Sequence, residues 1–406
     1  MFSVNAQHGE IVDTLTVKGA LDNKLQQALK NYKFNEALII ADSIEHYSIT
    51  KKDTLFLAYA YDIKSTIYSY SGNAEKGKLY VRKMKDIYEQ KKIYSSVIGS
   101  YSMWASLLRK EGKADSSLYV LNKAQKYLSD SILVDNITFF YNQKALSHYT
   151  QGRVDSSLFY SFKRLDYLKK ENDPYKVHFV YKELSNTFHS LKDYENALTY
   201  IDKSIETIGE NNELKMSKAN ALIAKGNINL HLNEFIKARE NLNEALSLLD
   251  SSGRADQKAR INILKSQILI KENKLTESLE LLNQIDYNSS RLSNQTLFDL
   301  FNSQATIEQL NKNWSSISQL FKKLDPLNDK ISDFNRKQSY YELKTNYYGH
   351  VGDYENGYEA QKKYIETSNK IKNRQQTYIV YDLENKYQLS KKDEEIALIL
   401  SPTQPF

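Results

Sequence analysis

The chain has 406 residues, 56 of them basic and 50 acidic, for a formal net charge of +6, and it contains no cysteine. The missing thiols exclude disulfides, thiolate metal sites and a cysteine nucleophile. The charge is spread along the chain without the block of like charge that marks a nucleic-acid-binding arm. With 13 glycines, 4 prolines and a hydrophobic fraction of 41%, the composition favours helices over strands and tight turns, and no stretch reaches the roughly 18 apolar residues of a membrane span.

At the N-terminus, Met1 to Gln7 is similar to the end of a secretory signal peptide, with Val4 and Ala6 spaced as a small-residue cleavage site before Gln7. Residues 1–9 are therefore expected to be a leader remnant, and the chain an exported one. A degenerate helical hairpin follows at Leu21 to Ile44. From there a turn signal leading into a helix recurs at Gly72, Gly112, Gly152, Lys192, Asn233, Asn273, Asn313 and Gly352, in steps of 40 with one 41 and one 39. A period of this length is the mark of a repeat array.

Each period carries two small residues twelve apart: Ser65/Gly77, Ala105/Ser117, Ala145/Ser157, Ser185/Ala197, Gly226/Ala238, Ser266/Ser278, Thr306/Ser318 and Thr345/Gly357. Two antiparallel helices joined by a short turn approach closely only where the crossing side chains are small, so each period is expected to be one hairpin. Four residues before the first small position stands Tyr61, Tyr101, Tyr141, Tyr181, Leu222 or Tyr341, with Asn262 and Asn302 departing. This ridge is expected to pack between each hairpin and its predecessor. Gly or Asn should take positive φ in the turns, Asp193, Asn233 and Asp353 should cap the second helices, and Pro174 and Pro326 should fall between hairpins.

The array resembles tetratricopeptide (TPR) repeats. Gly352-Asp353-Tyr354-Glu355-Asn356 and Lys192 to Leu198 match the family's turn and second-helix opening, Gly226-Asn227 its first-helix glycine, and Ala238, Leu242 and Ala245 its second helix. The resemblance implies an all-α, right-handed superhelical solenoid of about nine antiparallel hairpins over residues 10–370. The period near 40 instead of 34 implies helices close to a turn longer, and residues 255–325 match weakly. Residues 371–406 are expected to form a C-terminal capping or connecting helix, from Arg374 to Leu400, and a tail. The plan is similar to the TPR sensor regions of bacterial membrane-anchored regulators, which implies a tether outside this chain.

No catalytic machinery is recognisable. The seven histidines make no HExxH or i, i+4 pair, no phosphate-cradling loop occurs, and Ser48-Ile49-Thr50-Lys51 lacks the companion elements an acyl-transfer enzyme needs. No metal or cofactor is expected. By resemblance to the family's carboxylate clamp, Lys182, Asn186 and Arg260 are candidate ligand-binding residues, although Ala224 and Leu264 replace two clamp members. Asn142, Asn186 and Asn227, with Gln267 and Asn346, are expected to face the concave side and to offer amides to an extended peptide. The expected function is a non-catalytic protein- or peptide-binding scaffold, the exported sensor or interaction domain of a bacterial signalling system. The alternative is a cytosolic peptide-responsive TPR regulator.

Overall fold

The computed structural model describes residues 17–400 except 32, 130–131, 172, 250–253 and 290, and side chains through residue 382 apart from 380 and 381. The leader expected at residues 1–9 and the tail after residue 400 lie outside the described residues. The chain divides into two compact units, residues 1–171 and 172–406.

Unit one contains α1 (Val17–Lys30), α2 (Phe34–Lys51), α3 (Thr54–Tyr70), α4 (Ala74–Gln90), α5 (Tyr94–Lys110), α6 (Ala114–Ala124), α7 (Val134–Thr150) and α8 (Val154–Lys170). Unit two contains α9 (Pro174–Ser190), α10 (Tyr194–Ile208), α11 (Lys215–His231), α12 (Phe235–Leu248), α13 (Ala255–Lys271), α14 (Leu275–Asn283), α15 (Asn294–Leu310), α16 (Trp314–Asn328), α17 (Phe334–Val351) and α18 (Tyr354–Leu400). Odd and even helices pair as nine antiparallel hairpins among the described residues, the expected TPR-like solenoid.

The turns repeat because their hydrogen bonds do. In each, the residue before the second helix donates its N–H to a carbonyl five residues back, as Lys113 to Leu108 at 2.9 Å and Asp193 to Phe188 at 3.0 Å. This closure needs a left-handed residue at the second turn position. Gly112 supplies it at φ 79° and Asn233 at 60°, but Lys192 and Lys312 also adopt it, at 62° and 58°. Asp193 and Asp353 cap their helices as expected, accepting from the N–H of Asn196 and Asn356. Asn233 does not, because it occupies the left-handed position and leaves the cap site to Glu234.

The left-handed Lys312 corrects the seventh period. The turn lies one residue before Asn313, so the buried small position is Ala305 rather than Thr306, and Ile317 rather than Ser318 faces it; both are fully buried. The ridge residue then becomes Phe301, 5% exposed, in place of Asn302. Within each unit, the ridge rings Tyr61, Tyr101 and Tyr341 reach the preceding hairpin as expected. Tyr61 donates to Glu45 of the preceding hairpin at 3.2 Å, and Tyr101 reaches its predecessor's Glu89 at 3.4 Å.

The small pairs also bond across the crossing. Ser117 donates to Ala105 O at 2.9 Å, Ser185 to Ala197 O at 2.7 Å and Ser278 to Ser266 O at 3.0 Å. A lysine directly before the small position braces neighbouring hairpins: Lys64 pairs with Asp42 and Glu45, Lys225 with Asp202, and Lys344 with Asp325. In unit one Lys144 meets Asn122 at 2.8 Å instead.

Two further expectations change. Pro174 opens α9, but Pro326 lies inside the final turn of α16, which continues to Asn328. The helix expected from Arg374 is the uninterrupted continuation of the last hairpin's second helix, so α18 runs through residue 371 as one element of 47 residues.

Candidate ligand-binding cavity

A polar cavity of about 270 Å³ opens in unit two, lined by Lys182 and Asn186 of α9, Asn220 and Ala224 of α11, Asp256 and Arg260 of α13, Gln295, Thr296 and Asp299 of α15 with the preceding Ser293, and Arg336 of α17. Its walls are the first helices of five successive hairpins. Three of the expected site residues, Lys182, Asn186 and Arg260, meet here.

The other two do not. Asn227 turns to α9, its amide nitrogen 3.3 Å from His189 Nε2, and Asn142 belongs to unit one, where its oxygen accepts from Arg164 at 2.9 Å. Gln267 donates to Ser303 on the next first helix at 3.2 Å, and Asn346 is exposed. A row of amides at one fixed repeat position therefore does not form the groove. From α9 to α13 the lining position instead moves toward the start of the first helix, and in α15 and α17 it stays there. Lys182 stands three residues before Ser185, Asn220 six before Gly226, and Asp256 ten before Ser266. Stacked hairpins turn relative to one another, so a surface common to several of them crosses each helix at a different height. Asn220, Asp256, Gln295, Asp299 and Arg336 were missed for that reason.

The charges divide into a spent set and an available one. Arg336 forks onto Asp299 through Nε and Nη2 at 2.7 and 2.8 Å, and although burial opposes its charge, Asp299 and then Asp333 hold it well above the ordinary range. Asp256 Oδ1 accepts from the Ser293 N–H at 2.8 Å and the Thr296 hydroxyl at 2.7 Å. Lys182 and Arg260 enter no ion pair with the described carboxylates. Burial pushes the Lys182 ammonium below its usual pKa, with Glu183 opposing and Arg260 adding to the shift. Burial likewise lowers Arg260, against Asp256 and Asp299. Lys182 lies 5.6 Å from the Phe179 ring centre.

An anion between these two cations would gain about 4 kcal/mol per charge at 4 Å with an effective dielectric near 20, before its own desolvation and the opposing charges of Asp256 and Asp299. An amide hydrogen bond adds about 1 kcal/mol net. Charge would therefore anchor a ligand, and the neighbouring Asn186, Asn220 and Gln295 would orient it. Among the described residues no cluster of three metal-ligating side chains occurs. A wider groove of about 640 Å³ in unit one, lined by Val17, Leu21, Ile39 and Tyr47 among others, is the apolar outer face of the first hairpin.

No protein-family model matches the chain, and no curated protein matches it. Solved structures do. The chain is similar to the apo form of RapI, with TM-score 0.61 and 15% identity over 88% of this chain and 99% of that one. It is similar to the apo form of the quorum sensor NprR from B. thuringiensis, with TM-score 0.56 and 14% identity over 87% and 98%. It is also similar to a Rap protein complexed with competence and sporulation factor, with TM-score 0.54 and 12% identity over 88% and 99%. At these identities the likeness establishes the fold: a TPR-type helical repeat.

Proposed function

We infer that this chain is a non-catalytic, peptide-responsive regulator or scaffold, and that unit two holds an acidic group of its partner, a C-terminal carboxylate or an Asp or Glu side chain, between Lys182 and Arg260. The observation that carries this reading is the pair of partly desolvated cations sharing one cavity, neither of them ion-paired with a described carboxylate. The cavity lies just below the roughly 300–1,000 Å³ of drug-sized sites, which suits the end or one side chain of a peptide. Two of the fold neighbours support the regulator reading, the quorum sensor NprR and the Rap protein solved with competence and sporulation factor.

The exported-sensor reading rests on Met1 to Gln7, which lie outside the described residues, and among the described residues no helix is long and apolar enough to cross a membrane. The regulator reading is preferred because the fold neighbours NprR and the Rap protein solved with competence and sporulation factor support it. Fractionating cells that express the native gene separates the two, since recovery in the periplasm would restore the exported sensor.

The binding test uses a fluorescein-labelled pool of hexapeptides with free C-terminal carboxylates, measured by anisotropy. Lys182→Ala with Arg260→Ala should weaken the best binder at least tenfold and leave the melting temperature nearly unchanged. Asn142→Ala should bind as wild type. Equal affinity in the double variant would place the ligand elsewhere.

A further inference from the structure

Unit two turns back on itself. The turn closing its first hairpin, Ser190 to Asp193, is met by side chains from the unit's last hairpin. Gln375 Nε2 donates to Leu191 O at 3.0 Å, and Asn335 Nδ2 donates to Ser190 O at 3.2 Å. The Tyr378 hydroxyl donates to Asp193 Oδ2 at 2.5 Å and accepts from Asn196 Nδ2 at 3.3 Å, while its ring meets Phe188 edge to face at 5.7 Å. Asp193 serves two ends at once, since its Oδ1 caps α10. The turn's own N–H groups take up the Thr187, Phe188 and His189 carbonyls that end α9, and α17 and α18 take up the next two, Ser190 O and Leu191 O.

These helices also carry the cavity. Lys182 and Asn186 line it from α9, and Arg336, next to Asn335, lines it from α17. The seam therefore closes the arc of first helices around the cavity. It differs in kind from the interfaces between consecutive hairpins, which bury interlocking apolar ridges. Among the described residues its hydrogen bonds come from three side chains, Asn335, Gln375 and Tyr378, laid on a turn whose Leu191 is itself buried, so it can part without either hairpin unfolding.

We propose that this seam is the gate of the cavity: it parts to admit the ligand and re-forms around it. A ligand held between Lys182 on α9 and Arg260 at the middle of the arc also lies beside Arg336 on α17, across the seam from Lys182, so the closed form completes its surroundings and binding favours closure. The gating role rests on the cavity being the ligand site; the seam's ability to part does not, and the two are tested apart.

The first arm needs no ligand. In the full chain, amide hydrogen exchange should rise selectively in the α9–α10 turn and the first turn of α17 when Gln375→Ala is combined with Tyr378→Ala, and rise less for Tyr378→Phe, which keeps the ring. Unchanged exchange, or a rise throughout α11–α16, would overturn a locally releasable seam. The second arm locks it. Because the chain has no cysteine, Lys192→Cys with Gln375→Cys introduces two thiols beside the Leu191 carbonyl for a short bismaleimide. With the best binder from the labelled hexapeptide pool as probe, the cross-linked protein should show association and dissociation each slowed at least tenfold relative to the uncross-linked double variant. Equal rates would overturn the gate. Failure of every peptide to bind wild type would overturn both the gating role and the cavity reading, while the exchange arm would still decide whether the seam parts.

Discussion

At the scale of single residues, His189 and Gly226 show how tight packing sets both pH response and mutational tolerance. The His189 ring lies 5.0 Å from that of His231 and 5.5 Å from that of Tyr194, with Asn227 against its Nε2. Burial, reinforced by His231 and opposed by Asp333, pushes its pKa down to about 4. In the unfolded chain it titrates near 6.5, so below that value the unfolded state takes up a proton that the folded state refuses. Stability is complete above about pH 6.5 and falls as pH drops toward 4. A melting series over this range should decline in wild type and decline less in His189→Gln, which keeps the slope from His231, His178 and His148, all lowered by burial. A parallel decline in both would place the proton uptake elsewhere. At Gly226, an added Cβ would sit 2.9 Å from both Cγ and Cδ2 of the fully buried Leu242. Alanine raises helix propensity by about 1 kcal/mol, but Cγ cannot swing aside, and overpacking of about 1–3 kcal/mol should win. Gly226→Ala should therefore melt lower than wild type, and Gly226→Leu or Ala105→Leu lower still; wild-type melting in all three would refute the crossing geometry.

At the scale of the element, the hairpins were legible because small residues, ridge rings and turns recur at one period, and three signals that agree seldom do so by chance. The seventh hairpin shows the limit of that reading. Asn313 satisfies a turn pattern as well as Lys312 does, and nothing in sequence says that a lysine will accept positive φ; only the fit of Phe301 and Ala305 into the core decides. The corrected register has a direct test. Phe301→Ala should cost about 3–5 kcal/mol as a buried aromatic truncation. Asn302→Ala, which removes one hydrogen bond to Ser339 at 3.0 Å, should cost about 1 kcal/mol. Denaturant midpoints in the reverse order would return the ridge to position 302. The cavity was half legible for a related reason. Lys182, Asn186 and Arg260 could be picked out by family spacing, but a surface that climbs from helix to helix violates the fixed-position rule, and the Asn227 and Asn142 expectations followed that rule away from the cavity.

At the scale of the whole molecule, stability in a solenoid is expected to sum over neighbouring hairpins, and a contact such as Tyr378 to Asp193, 185 residues apart, leaves no periodic trace by which a sequence could announce it. The division into two compact units then implies two unfolding events, and the chain contains its own reporters. Its two tryptophans fall one in each unit, Trp104 on α5 and Trp314 on α16, the latter stacked on His350 at 4.1 Å. Variants retaining one tryptophan, Trp314→Phe and Trp104→Phe, should report separate guanidinium transitions by fluorescence. Leu121 and Leu242 are both fully buried, in α6 and α12. Truncating either to Ala removes about 2–5 kcal/mol, and the loss should move only the transition of its own unit: Leu121→Ala the one seen by Trp104, Leu242→Ala the one seen by Trp314. If each substitution shifts both reporters equally, the units unfold as a single cooperative body. If each reporter answers only to its own leucine, the two units are thermodynamic as well as geometric, and partner binding at Lys182 and Arg260 should raise the Trp314 midpoint while leaving that of Trp104 in place.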